Sequence, residues 1–225
     1  MSDEQRQTSE DGGGSGRGRR SLPLDRFNAF SDGVFAIAIT LLVLEIAVPL
    51  EGVPLPPALR EMWPEFLGYY ISFAFIGGIW ITHSNVTKYM KRGDPATYAL
   101  NLVLLLFVGL LPFATSLMVT HLRGDDAGIA TLIYGADLLL ASLVLSLLIS
   151  YVAREPALLV DDIDEGTLRS AVRQRWVSIG VNAVALAVAL VAPQVAAGLY
   201  LVASTMLLVV PLLGLRRHRR ESRAA

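Results

Sequence analysis

The chain has 225 residues, of which 53% are hydrophobic, with a mean hydropathy of +0.52 and a formal net charge of −1. A soluble domain of this length cannot enclose so much apolar surface, so composition excludes an ordinary globular protein and points to a membrane protein. The absence of cysteine excludes disulfides, thiolate nucleophiles and thiolate metal sites.

Met1 to Ser21 is polar and rich in Gly, Ser and Arg, without an apolar h-region. It reads as a disordered cytoplasmic tail over 1–21 rather than a secretory signal peptide. Six hydrophobic spans follow, at 27–48, 64–87, 97–120, 128–152, 173–192 and 195–215. The fold class predicted is an all-α polytopic membrane protein, with a six-helix transmembrane domain over 22–215 and a basic cytoplasmic tail over 216–225.

Breaks between spans fall where turn chemistry puts them. Pro49, Pro54, Pro56 and Pro57 follow the first, Gly93-Asp94-Pro95 the second, Gly124-Asp125-Asp126 the third, and Ala192-Pro193-Gln194 separates the last two. The acidic run Asp161–Glu165 reads as a solvated linker rather than a divalent-ion site. With an inside amino terminus, seventeen Lys and Arg residues fall on inside segments and two, Arg60 and Arg123, fall outside. That asymmetry predicts both termini in the cytoplasm of a cell-membrane protein. The run Arg216-Arg217-His218-Arg219-Arg220 then reads as a charged stop beside anionic lipid, not as a nucleic-acid site.

The first span carries the chemistry. At helical spacing, Ile37 shares a face with Phe30, Gly33, Thr40, Leu41, Leu44 and Val48, while Ser31 and Asp32 point elsewhere. An aliphatic stripe in a membrane helix ordinarily packs or meets lipid, so periodicity leaves a pore-lining role open beside those alternatives. A carboxylate in lipid costs about 2.5–3.5 kcal/mol or more, so Asp32 calls for partners. Inside the fourth span, Asp137 lies near Ser142 and Ser146 and pairs on paper with Asn182 as packing glue. Glu45 marks the outer end of the first span, either as an acidic mouth or as an interfacial residue.

The stretch running from Arg26 through Phe30-Ser31-Asp32 into Gly33-Val34-Phe35-Ala36-Ile37-Ala38-Ile39-Thr40-Leu41-Leu42-Val43-Leu44 resembles the first-helix signature of the transmembrane protein 175 family of lysosomal potassium channels. The match is to its prokaryotic single-repeat, six-span members. It extends to Trp80 and His83, to Asn101-Leu102 and to Pro112-Phe113, and departs from many members at Ser84, where they carry a second histidine. The resemblance implies a homotetrameric channel passing K+, without a cofactor, in which the first helix lines a central pore. It implies a pore constriction at Ile37, Leu41 and Leu44, a selectivity hydroxyl at Thr40, and a structural polar network of Arg26, Ser31, Asp32, Trp80, His83 and Asn101. On that pattern Asp32 is a buried carboxylate with Trp80, His83 and Asn101 as its candidate hydrogen-bond partners, the alternative for His83 and Asn101 being bonds to nearby backbone or interfacial water.

No Thr-Val-Gly-Tyr-Gly loop occurs, so a carbonyl-cage filter of that kind is absent. A second function class is a proton-coupled secondary transporter using Asp32 or Asp137, against which stands the lack of an internal repeat. An intramembrane enzyme built on Ser31, Asp32 and His83 lacks a glycine elbow around the serine.

Overall fold

A computed structural model describes residues 24–47, 49, 52–160 and 165–221, with side chains undescribed over 165–175, at 178 and over 211–221. The polar tail 1–21 and residues 161–164 of the acidic linker therefore lie outside the described residues. Among the described residues seven α-helices follow in chain order: α1 Leu24–Leu41, α2 Leu55–Glu61, α3 Trp63–Thr87, α4 Pro95–His121, α5 Ala127–Arg154, α6 Glu165–Ala189 and α7 Pro193–Glu221. Among the described residues the only β pairing is an isolated antiparallel bridge between Met90 and Leu159.

Local chemistry sets the helix ends. Asp94 caps α4 through a reciprocal capping box: it accepts from the Thr97 backbone N–H at 2.9 Å, and Thr97 Oγ1 accepts from the Asp94 N–H at 2.9 Å. Pro95 then begins the helix where its missing N–H costs nothing. Helix α1 ends differently, tightening into a 3₁₀ turn over Leu42–Glu45 before Ile46 turns extended. The first predicted span is thus helical to Glu45, with Ile46 and Ala47 outside the helix, while its predicted end at Val48 lies outside the described residues.

Helices α3, α4 and α5 match the predicted second to fourth spans to within two residues at each end. Among the described residues, five helical stretches are long and apolar enough to cross a membrane: α1 with its 3₁₀ turn, α3, α4, α5 and Pro193–Val210 of α7. Helix α6 contributes, among the residues whose side chains are described, the shorter apolar stretch Ile179–Ala189.

The core lies where α3, α4, α5 and α7 meet, around Ile71, Phe75, Leu104, Leu111, Tyr134, Leu145 and Tyr200. Dry packing there still calls for hydroxyls to be engaged. Ser72 on α3 bonds Thr115 on α4 at 2.7 Å and Tyr134 on α5 at 2.9 Å, tying three helices through one oxygen. Gly78 lets α7 approach closely, since a Cβ there would stand 2.9 Å from the Leu207 backbone. Helix α1 packs against α4 and α3 on one side only. In its most apolar stretch 28% of residues are buried, against 50% in α3 and α4, so most of the helix is left uncovered by the described residues of its own chain.

Candidate pore helix and its polar bracing

The two faces of α1 divide cleanly. Phe27, Ser31, Phe35, Ala38 and, in the 3₁₀ turn, Leu42 are buried at steps of three or four, the spacing of one helical face. The opposite face exposes Phe30, Gly33, Ile37, Thr40, Leu41 and Leu44 to differing degrees, with Ile37 61% and Leu44 74% accessible. Leu44 keeps this alignment because three residues complete one turn of 3₁₀ helix, which stacks it above Leu41. The Thr40 hydroxyl donates to the Ile37 carbonyl at 2.9 Å. Its proton is thereby committed to the helix, and the oxygen lone pairs remain on the exposed face.

The buried face is held by a directional chain of hydrogen bonds. Ser31 Oγ donates to the Phe27 carbonyl at 2.9 Å and accepts from Asn101 Nδ2 at 2.9 Å. With the Asn101 amide nitrogen so engaged, its Oδ1 faces His83, 2.9 Å from Nε2. Nε2 is therefore the ring nitrogen assigned the proton, and it donates. The imidazole also packs between two phenylalanines of α1, stacked on Phe27 at 5.8 Å and tilted to Phe35 at 5.6 Å. Tyr98 meets Phe27 edge-on at 4.9 Å. One histidine on α3 thus grips two turns of α1.

Asp32 is placed otherwise than the sequence suggests. Its Oδ1 accepts from Trp80 Nε1 at 2.8 Å, but its side chain is exposed on the single chain; Asn101 bonds Ser31 instead, and His83 bonds Asn101. The physical reason is that a hydroxyl satisfied by backbone and amide is far cheaper to bury than a carboxylate. Arg26 is exposed in the first turn of α1 and, among the described residues, makes no bond to this network. Sequence reasoning overlooked Phe27, Phe35 and Tyr98, although the two phenylalanines flank Ser31 at four-residue spacing, a signal that they share its face.

The expected Asp137–Asn182 pair does not form. Asp137 is 4% exposed and, among the described residues, neither carboxyl oxygen has a hydrogen-bond partner. Ser146 donates instead to the Ser142 carbonyl at 2.7 Å. At the far end of the bundle, Arg123 pairs with Glu61 at 2.8 Å and lies over the Trp63 ring at 5.3 Å, fastening the short α2 to the α4–α5 turn. Among the described residues no group of three or more His, Asp or Glu side chains is placed to hold a metal ion.

Fold and site together define an all-helical polytopic membrane protein with one peripheral helix, polar-braced on its inner side and apolar on its open side. A family profile described as endosomal/lysosomal potassium channel TMEM175 matches residues 26–112, the segment that contains α1 and its partners on α3 and α4. A potassium channel of Chamaesiphon minutus is 35% identical over 177 residues, 77% of this chain and 87% of that one. A potassium channel of Streptomyces collinus is 38% identical over 148 residues, 64% of this chain and 72% of the other. The crystal structure of a lysosomal potassium-selective channel TMEM175 homolog from Chamaesiphon minutus superimposes with a TM-score of 0.75 at 31% identity, covering 84% of this chain and 97% of that one. The chain belongs to the TMEM175 family of ion channels.

Proposed function

We propose that this protein is a subunit of a homotetrameric, potassium-permeable channel of modest selectivity and leak-like conductance, with α1 lining the pore. It resides in the cell membrane with both termini cytoplasmic; 22–215 is the channel domain, and no cofactor takes part. The observation that carries the reading is the open face of α1. Isoleucine, threonine and leucines lie uncovered there, while the bonds from Asn101 and Trp80 reach the helix away from it.

Four copies of that face around one axis put rings of Ile37, Leu41 and Leu44 against a water column. A tight ring of aliphatic side chains expels water and closes the path by dewetting, and a slight widening admits a partly hydrated ion. Potassium sheds water more readily than sodium, so an apolar neck disfavours sodium. Thr40, with its proton held by the Ile37 carbonyl, offers oxygen lone pairs that replace part of the lost hydration. The bonds from Trp80 to Asp32 and from Asn101 to Ser31 fix the rotation of α1 and hence the aim of its open face.

The test is ion flux from potassium-loaded liposomes containing purified wild type or Ile37→Asn. The reading requires wild type to pass potassium in preference to sodium, and the polar ring to raise flux while eroding that preference. Absence of downhill flux, with uptake driven by a proton gradient and abolished in Asp32→Asn or Asp137→Asn, replaces the channel with a coupled transporter.

A further inference from the structure

Helix α4 carries a proline in its interior, and a chain of three hydroxyls ends beside it. Pro112 has no N–H to offer the Val108 carbonyl one turn earlier, and its ring crowds that carbonyl, so a helix bends there. Thr115 Oγ1 donates to the Leu111 carbonyl at 2.7 Å, next to the proline. A threonine bonded to the carbonyl four residues back bends a helix further.

That one bond sets the direction of the others, because each hydroxyl has a single proton. With the Thr115 proton given to Leu111, the 2.7 Å contact between Ser72 and Thr115 requires Ser72 to donate. The Ser72 proton is then spent, and Tyr134 must donate across its 2.9 Å contact with Ser72. The chain therefore runs from α5 through α3 into the backbone of α4. All three side chains are at most 1% exposed, so bulk solvent does not compete for these bonds.

Both ends of α4 are tied as well. Tyr151 on α5 donates to Asp94 Oδ2 at its start, and Gln194 on α7 donates to the Leu122 carbonyl at 2.9 Å just past its end. A helix held at both ends and bent in between changes shape by bowing. The half before the proline carries Tyr98, edge-on to Phe27, and Asn101, which donates to Ser31. Phe27 and Ser31 both belong to the buried face of α1.

We propose that Tyr134, Ser72 and Thr115 are positioning residues for the pore: their bonds into α4 beside Pro112 fix its bend, and with it the rotation at which Asn101 and Tyr98 hold α1. The inference rests on the reading of α1 as the pore helix. Among the described residues these hydroxyls make no bond to α1, so they act on it through α4.

A double-mutant cycle tests this, read as the ratio of potassium to sodium flux in liposomes. Thr115→Val keeps the side-chain shape and removes the hydroxyl, so it should lower the ratio by about threefold. Thr115→Ser, which keeps the hydroxyl, should restore it. Pro112→Ala returns an N–H to the Val108 carbonyl and straightens α4, so in that background Thr115→Val should change the ratio little further. Ser72→Ala, which breaks the chain at its middle link, should lower the ratio too and serves where Thr115→Val fails to fold. A hydroxyl-free variant that melts lower yet keeps the wild-type ratio makes the chain mere packing and overturns the proposal. Additive effects of Thr115→Val and Pro112→Ala overturn it as well, since the hydroxyls would then act elsewhere than at the bend. Absence of selective flux in wild type refutes the pore reading, and the inference falls with it.

Discussion

Asp137 and His83 are the two residues whose surroundings make the sharpest demands. A carboxyl 4% exposed, with no partner for either oxygen among the described residues, opposes folding. Leucine has the same branched shape, so Asp137→Leu is expected to raise stability by about 1–3 kcal/mol, read as a higher melting temperature in detergent. A lower one means that Asp137 holds a partner that stabilises the fold. His83 contributes both a hydrogen bond to Asn101 and a ring between Phe27 and Phe35. His83→Phe keeps a ring there but strands the Asn101 oxygen, at a cost of about 1–3 kcal/mol. His83→Ala should cost more, because it also removes both ring pairings, each worth about 0.5–1.5 kcal/mol. Equal melting temperatures for the two variants contradict the clamp.

Among the helices, close approach decides where substitution is tolerated. A Cβ on Gly78 would meet the Leu207 backbone at 2.9 Å, whereas one on Gly109 has no described atom within 4 Å. Gly78→Ala is therefore expected to wedge α3 from α7 and destabilise by about 1–3 kcal/mol. Gly109→Ala should be neutral or stabilising by up to about 1 kcal/mol. Thermal melting of the pair checks both signs.

Helix positions are largely legible in the sequence, for reasons visible in particular residues. Asp94-Pro95 and Gly124-Asp125-Asp126 mark the starts of α4 and α5 because capping and turn chemistry are local. The 3₁₀ tightening after Leu41 and the early start of α6 at Glu165 are not, since neither alters the apolar pattern that signals a span. Within the site, the Trp80–Asp32 bond follows from the signature. The burial of Ser31 in place of Asp32 does not, because it depends on which neighbour on α4 reaches α1, a matter of tertiary packing.

For the whole molecule, the account rests on one asymmetry: α1 buries Ala38 at 2% exposure and shows Ile37, its neighbour in sequence, at 61%. In a single chain that open face is left without cover by the described residues. In the proposed channel it meets the permeating ion. Because the chain contains no cysteine, single-cysteine variants can separate the two faces without background. The decisive measurement is block of liposomal potassium flux by Ag+, an ion of potassium-like size that seals onto thiolates. Ag+ is predicted to stop flux through Ile37→Cys and Leu41→Cys and to spare wild type and Ala38→Cys. Block at Ala38→Cys with Ile37→Cys and Leu41→Cys unaffected would contradict a pore lined by the open face of α1.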